Sequence, residues 1–366
     1  MFSQIETHPH QQAIEALRRE IVSQGSAALD GRLSPWLQRS WQRCLERGDL
    51  PHETVEFAPV VAAEWRTAQE AAMPLLQAAQ PVVKTLARAM ADTRFFALLT
   101  NAQGMVIDVH GVVDTQDPRA RNIARVGVNL SEQAVGTTAI GAALTELQPV
   151  WLHRGEHFFA SNTAYSCAGA PVFGPRGACV GMLDLTGIDV LERPALKHLV
   201  AQSARSIENR MVLATPHHLV LRINWPGQAM GSDNDGLLTL DADGLVQSAN
   251  PVACDMLSIR PQWQQLHISE LVAGDCNALY DQSHQRNRVS EWPLWSGLRI
   301  QVVSLDDALN SPTQSQASHS ALALKDVESS LIRKAVDEAN GNMAEAAKRL
   351  GISRATLYRK LNTHKP

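Results

Sequence analysis

The sequence predicts an α+β protein of several domains: an N-terminal helical extension, two mixed α/β domains in the middle and an all-α C-terminal tail. Three observations carry this. Near both ends apolar residues recur at three- and four-residue spacing, the mark of helices with one buried face. Between them, short β-rich runs flank the turn segments Asn101–Gly104, Gly174–Gly177 and Asp243–Gly244, the pattern of antiparallel hairpins. Charge is also polarised. From Gly341 onward three Lys and three Arg meet one Glu, a net of +5; the whole chain is −4, so residues 1–340 carry −9. A basic segment confined to one small module is the footprint of nucleic-acid binding.

Composition narrows the class. With 45% apolar and 19% charged residues the chain is globular, and 366 residues suit two or three domains. No apolar run reaches the roughly 18 residues that a membrane span needs. The start, MFSQIETHPHQQ, lacks the basic and apolar regions of a secretory signal. Cys44, Cys167, Cys179, Cys254 and Cys276 are odd in number and without CxxC spacing. That predicts a cytoplasmic protein with free thiols and no structural metal.

Residues 1–80 read as helical. Ser34-Pro35 is a start signal, with serine as cap and proline in the first turn. Leu37, Trp41, Cys44 and Leu45 then share one face, and Gly48 ends the helix. Residues 81–214 read as a mixed domain. Phe95–Leu99 and Met105–Val109 form a predicted hairpin. Ser131 to Leu144 reads as one helix entered through Ser131, and Pro149–Leu152 as a strand. Cys167–Phe173 and Ala178–Leu185 form a second hairpin. Leu191–Leu213 is a long helix with Leu196, Leu199, Val200, Ile207 and Met211 along one side.

Four features of this region invite chemical readings. His153-Arg-Gly-Glu156-His157 spells HxxEH, but a zinc hydrolase needs both histidines on one face of a continuous helix. Gly155 and the preceding strand break that helix. Gly136 to Gly141 has the glycine spacing of a phosphate loop, yet Ala142 and Ala143 stand where Lys and Ser/Thr are required. Cys167, among small and apolar residues, reads as a buried thiol ahead of a reactive one. Asp184 ends an apolar strand, where it serves either a nearby loop or a ligand.

Residues 233–305 read as a smaller mixed domain. The run GLLTLDADGLVQSANPVACDML gives strand, turn, strand and a helix entered at Asn250-Pro251; Leu298–Ser304 is its closing strand. Its middle is short, which favours a dimerisation or spacer role over cofactor binding. Residues 306–321 are rich in Ser, Gln and Asn and read as a linker with a reach of roughly 20 Å.

Residues 322–366 read as three short helices. Val327, Leu331, Ile332, Ala335, Val336 and Ala339 make the first apolar stripe, which stops at Asn340-Gly341. Asn342 caps Met343–Leu350, Gly351 turns the chain, Ile352 plugs the angle, and Ser353 caps the last helix. Leu357 and Leu361 face inward. Arg354, Thr356, Tyr358, Arg359 and Lys360 face outward, with the donors and charges that a major-groove reader uses.

Asn342 to Leu361 resembles the DNA-binding domain of Fis-type bacterial regulators. That resemblance implies a homodimer on double-stranded DNA and places Ser353, Arg354, Thr356, Tyr358, Arg359 and Lys360 at the DNA. The blocks GVNLSEQAVGTTAIGAAL, PVWLHRGEHF and YSCAGAPVFGPRGACVGMLDLTG, with the helix SPWLQRSWQRC, resemble the GAF-type sensor of the regulators of acetoin and glycerol metabolism. That likeness covers Leu33 to Arg210. It implies a sensor of a small effector or partner protein, with Trp151, His153, Glu156, His157, Phe158, Tyr165, Cys167 and Asp184 near the pocket. The strand–turn–strand run ending at Asn250 resembles the opening of a PAS domain. Such regulators usually carry a central ATPase that remodels RNA polymerase, but neither a Walker A sequence nor a GAFTGA loop occurs here. The expected function is therefore a cofactor-free, non-enzymatic, ligand-responsive DNA-binding regulator, with RNA polymerase or a related regulator as a further partner and no membrane contact. The alternatives are an adaptor that pairs with a full-length regulator and lacks DNA binding of its own, and a zinc hydrolase at His153, Glu156 and His157.

Overall fold

A computed structural model describes residues 9–306, apart from Asp30, Pro59, Val61 and residues 284–287. The predicted helix-turn-helix, with Ser353, Arg354, Thr356, Tyr358, Arg359 and Lys360, lies outside the described residues, as does the predicted linker beyond Asp306.

Four helices open the chain: α1 (Pro9–Gln24), α2 (Pro35–Arg47), α3 (Ala62–Ala71) and α4 (Met73–Ala89). The predicted apolar face of α2 is buried through Leu37, Trp41 and Cys44. Ser34 stands at the N-cap, but its hydroxyl makes no capping bond; Pro35 alone pre-sets the first turn. At the other end Gly48 takes φ +90°, a left-handed cap that a side chain would strain. Helix α1 buries Ile14, Leu17 and Ile21 in the same core.

The first sheet comprises β1 (Phe95–Asn101), β2 (Val106–His110), β3 (Val150–His153), β4 (Tyr165–Phe173) and β5 (Cys179–Ile188), in the order β2-β1-β5-β4-β3. Between β2 and β3 lie α5 (Pro118–Ile123), α6 (Glu132–Val135) and α7 (Ala139–Glu146), and after β5 comes α8 (Leu196–Ala214). Every residue of β1 is buried because helices cover both sheet faces. Strand parity sorts the two layers. Phe96, Leu98, Tyr165 and Cys167 pack with α1, α2 and α5–α7. Phe95, Ala97, Ala168, Ala170 and Leu185 pack with α4 and α8.

The predicted single helix over Ser131–Leu144 is two helices. Gly136, at φ +68° and ψ −158°, breaks it in a region open essentially to glycine alone. A Cβ there would lie 2.4 Å from the Phe159 ring. The chain restarts at Thr138, whose hydroxyl accepts from the Gly141 N–H (3.1 Å) as the cap of α7.

The second sheet comprises β6 (Leu219–Asn224), β7 (Gly236–Leu240), β8 (Val246–Ala249), β9 (Ser290–Pro293) and β10 (Arg299–Asp306), in the order β8-β7-β6-β10-β9. Helices α9 (Pro251–Leu257) and α10 (Asn277–Ser283) belong to it. Its central strand β6 lies outside the strands that the sequence predicts, although Leu219, Leu221 and Ile223 alternate with Val220 and Arg222 and enter the core.

The two sheets are tied together. Ala249 N–H donates to Pro175 O (2.9 Å) and Gln262 N–H to Arg176 O (2.7 Å), so the tip of the β4–β5 hairpin docks on the second domain. Asn250 caps α9 by accepting from Ala253 N–H (2.8 Å) and also accepts from Leu237 N–H (3.0 Å). Its amide donates to Asn209 on α8 (2.7 Å).

Candidate functional site

Behind the odd-numbered face of β4 lies a small closed cavity. Its polar side is built by Asp184 and Thr186 from β5, Cys167 from β4, His157 from the loop after β3, and Asn162. Phe57, Ile123, Leu130, Ala139, Ile140 and Tyr165 make the rest largely apolar. The open space is about 10 Å³, room for roughly one water.

Polarity inside the cavity is one-sided. The Thr186 hydroxyl donates to Asp184 Oδ2 (2.5 Å), while Asp184 Oδ1 has no partner. Asn162 donates its amide to Val135 O (3.3 Å), which leaves its Oδ1 without a partner as well. His157 donates through Nδ1–H to Arg154 O (2.9 Å), so its bare Nε2 faces the Cys167 thiol at 3.9 Å. Three acceptors thus meet little that can donate, and an unmet buried acceptor costs about 1–3 kcal/mol. Burial pushes the Asp184 carboxyl up to about 7 and pulls the His157 ring down to about 4. Burial also holds the Cys167 thiol well above its ordinary value, which makes it a poor nucleophile.

The sequence-nominated residues divide into groups. His157, Tyr165, Cys167 and Asp184 line the cavity; Asn162, Thr186 and Phe57 join them without having been singled out. Trp151 and His153 sit across the sheet. His153 is in register with Ser166 and bonds its hydroxyl (2.7 Å), whereas Cys167, the next residue, points the opposite way beside His157. The sheet therefore separates the two histidines of HxxEH. Among the described residues no group of three His, Cys, Asp or Glu is placed to hold a metal ion.

What HRGEH does instead is receive the N-terminal helices. Arg18 Nη2 donates to Gly155 O (2.6 Å) and His157 O (2.7 Å). Gln11 accepts from Gly155 N–H (3.0 Å), and His10 bonds Glu156 (3.0 Å). Glu156 also accepts from the His153 N–H (2.6 Å), which closes the turn on itself. Trp41 Nε1–H donates to Glu156 O (2.9 Å), its ring edge-on to the buried Phe158 at 5.6 Å. The loop that walls the cavity is thus clasped by α1 and α2. Trp41→Phe keeps the ring contact but removes the donor; we expect a loss of about 1–3 kcal/mol in urea unfolding, and no measurable change would show that the Trp41–Glu156 bond does not hold the loop.

The family MimR, N-terminal domain, matches residues 11–209, more than half of the chain. The chain belongs to this family. A second family, bacterial regulatory protein, Fis family, matches residues 323–364, so the tail is a Fis-type helix-turn-helix. Among similar proteins, the signal-transduction and transcriptional-control protein of Clostridium beijerinckii is 29% identical over 189 residues, 51% of this chain and 30% of that protein. The acetoin catabolism regulatory protein of Cupriavidus necator is 27% identical over 227 residues, 60% of this chain and 34% of its own length. The propane 2-monooxygenase operon transcriptional activator MimR of Mycolicibacterium smegmatis is 30% identical over 197 residues, 53% and 32%. The chain thus spans about a third of the length of these curated relatives. In the Escherichia coli DhaR(N)–DhaL complex, one chain is similar to this one with a TM-score of 0.46 and 15% identity, over 74% of this chain and 99% of that one. No helix among the described residues is long and apolar enough to cross a membrane.

Proposed function

We propose that the protein is a cytoplasmic, non-enzymatic transcription regulator that binds operator DNA as a homodimer and responds to a small effector. The observation that carries this is the pairing, in one chain, of a Fis-type tail at residues 323–364 with a sensor whose closed cavity holds two unmet acceptors. In this reading residues 1–80 are the clasp, 81–214 a GAF-like sensor, 233–305 a PAS-like module, 306–321 a linker and 322–366 the DNA-binding domain. Ser353, Arg354, Thr356, Tyr358, Arg359 and Lys360 meet the DNA.

The effector enters the cavity against Asp184, Asn162 and His157. Those acceptors select a molecule with donors, such as an alcohol, diol or amine. A cavity of about 10 Å³ admits more than a water only if part of its wall moves, and the part that carries His157, the HRGEH loop, is clasped by α1 and α2. Binding then biases the placement of the N-terminal helices, the differential contact that a switch requires.

The test is retention of genomic DNA fragments by the full chain, with sequencing of what is held. The expected result is a two-fold-symmetric site, half-sites about one helical turn apart, bound more weakly as salt rises. Arg354→Ala/Arg359→Ala should lose site preference, about 1–3 kcal/mol for each guanine contact. The same fragments recovered with the double variant would overturn the DNA-reading role. One observation favours a second reading, an adaptor that pairs with a longer relative: residues 210–322, between the two family matches, contain no Walker A sequence. Mixed dimers without DNA affinity of this chain's own would support it.

A further inference from the structure

A larger opening lies away from the sealed cavity, at the junction of the two domains. It measures about 150 Å³, some ten times what one water requires (about 10–15 Å³). Pro149 and Phe173 wall it from the first domain, Val252 from the second, and one face of α8 forms its floor.

The floor holds a buried carboxyl with one oxygen to spare. Glu208 is only 4% exposed. Its Oε1 accepts from the Phe173 N–H (2.9 Å), which leaves Oε2 to the cleft. Burial pushes this carboxyl up to about 8, so at neutral pH it keeps its proton and presents a donor. One turn back, Arg205 stands exposed at the rim, with one nitrogen donating to Asn234 (2.7 Å). The neighbouring acceptors are already engaged. Asp233 takes bonds from Ser206 and from Asn209 (3.3 Å), and Asn209 Oδ1 takes the Asn250 amide (2.7 Å). Glu208 and Arg205 are thus the donors that line the cleft, over short apolar walls and with the Asp233 carboxylate, already bonded, beside them.

We propose that this cleft is a second small-molecule site, taking a short aliphatic molecule whose carbonyl or carboxylate oxygen accepts from Glu208 at the floor and Arg205 at the rim. Its walls belong to different domains, so an occupant fixes their relative placement through Asn209, Asn250 and α8. The site shares no residue with the sealed cavity and stands whether or not that cavity binds an effector.

The experiment is saturation-transfer NMR on the full chain with butyrate, 2-butanone and n-butylamine as separate probes. Wild-type protein should give transfer to butyrate, to butanone or to both. Butyrate alone assigns a carboxylate that uses the charge of Arg205; butanone as well assigns a neutral carbonyl. Glu208→Gln, which keeps a neutral donor, should retain the signal, and Asp184→Asn in the sealed cavity should leave it unchanged. Ala201→Phe, which fills the cleft from a half-buried position on α8, should weaken apparent affinity about tenfold or more. If circular dichroism shows that variant unfolded, Val252→Trp fills the cleft from the other wall and is held to the same result. Transfer to n-butylamine alone, no transfer to any probe, a signal abolished by Asp184→Asn, or one that survives the filling variant would each overturn the proposal.

Discussion

Arg43→Leu should cost about 3 kcal/mol or more of stability at neutral pH, because it strands a buried carboxylate. Arg43 on α2 binds Glu132 through two nitrogens (2.7 and 2.9 Å) and Glu146 through a third (3.0 Å). The side chains of Glu132 and Glu146 are 7% and 8% exposed. Glu146 keeps Arg39 when Arg43 is lost. Glu132 keeps the Ser40 hydroxyl (2.6 Å) and only a distant Arg47 (3.8 Å). Most of the cost therefore falls on Glu132, and Arg43→Leu/Glu132→Leu should recover part of it. The measurement is urea unfolding of the single and double variants. A loss below about 1 kcal/mol, the range of exposed ion pairs, would mean that water reaches this cluster. In the proposed reading the same geometry bears on function, since α2 is half of the clasp on the loop that walls the cavity.

That cluster also shows where the sequence was legible. Leu37, Trp41 and Cys44 declared the buried face of α2 by spacing alone. Ser40 and Arg43 did not declare their partners, which lie about ninety positions away and meet them only after folding. The hairpins were legible because a short turn joins each pair of strands; β6 is bounded by Pro216 and Pro226-Gly227, but its place between β7 and β10 depends on β10, about seventy-five positions on, a pairing that nothing local announces. Gly136 falls inside a predicted helix, since its permissiveness is visible in sequence but its use is not. For the cavity, the alternation of β4 separates Tyr165 and Cys167 from Ser166. Nothing local says that Phe57 and Asn162 arrive at the same place. Asn250 stood out beside Pro251, whereas its partner Asn209 is one polar residue on a long helix.

Asp184→Asn should stabilise the protein by about 2–4 kcal/mol above pH 7 and hardly at all near pH 4. The folded carboxyl titrates at about 7, against an ordinary 3.8. Between those values the folded protein holds a proton that the unfolded chain releases, so stability is full below about pH 4 and falls as pH rises to 7. His157 works in the opposite sense. Its folded value of about 4 lies below the ordinary 6.5, so the unfolded chain binds the extra proton and stability falls as pH drops through that window. From pH 4 to 6.5 the two slopes oppose each other. Above 6.5 Asp184 continues downward until 7, and Glu208, raised by burial from 4.5 to about 8, falls in the same direction across its own span. The variant deletes one slope, so its advantage over wild type should open steadily from pH 4 to 7 and then level off. Urea unfolding at several pH values measures it, and an advantage that does not vary with pH would show that Asp184 is not titrating in a closed site. Above pH 7 the wild-type cavity holds an ionised oxygen without a donor. A ligand that supplies that donor is bound with the free energy which the empty fold forgoes.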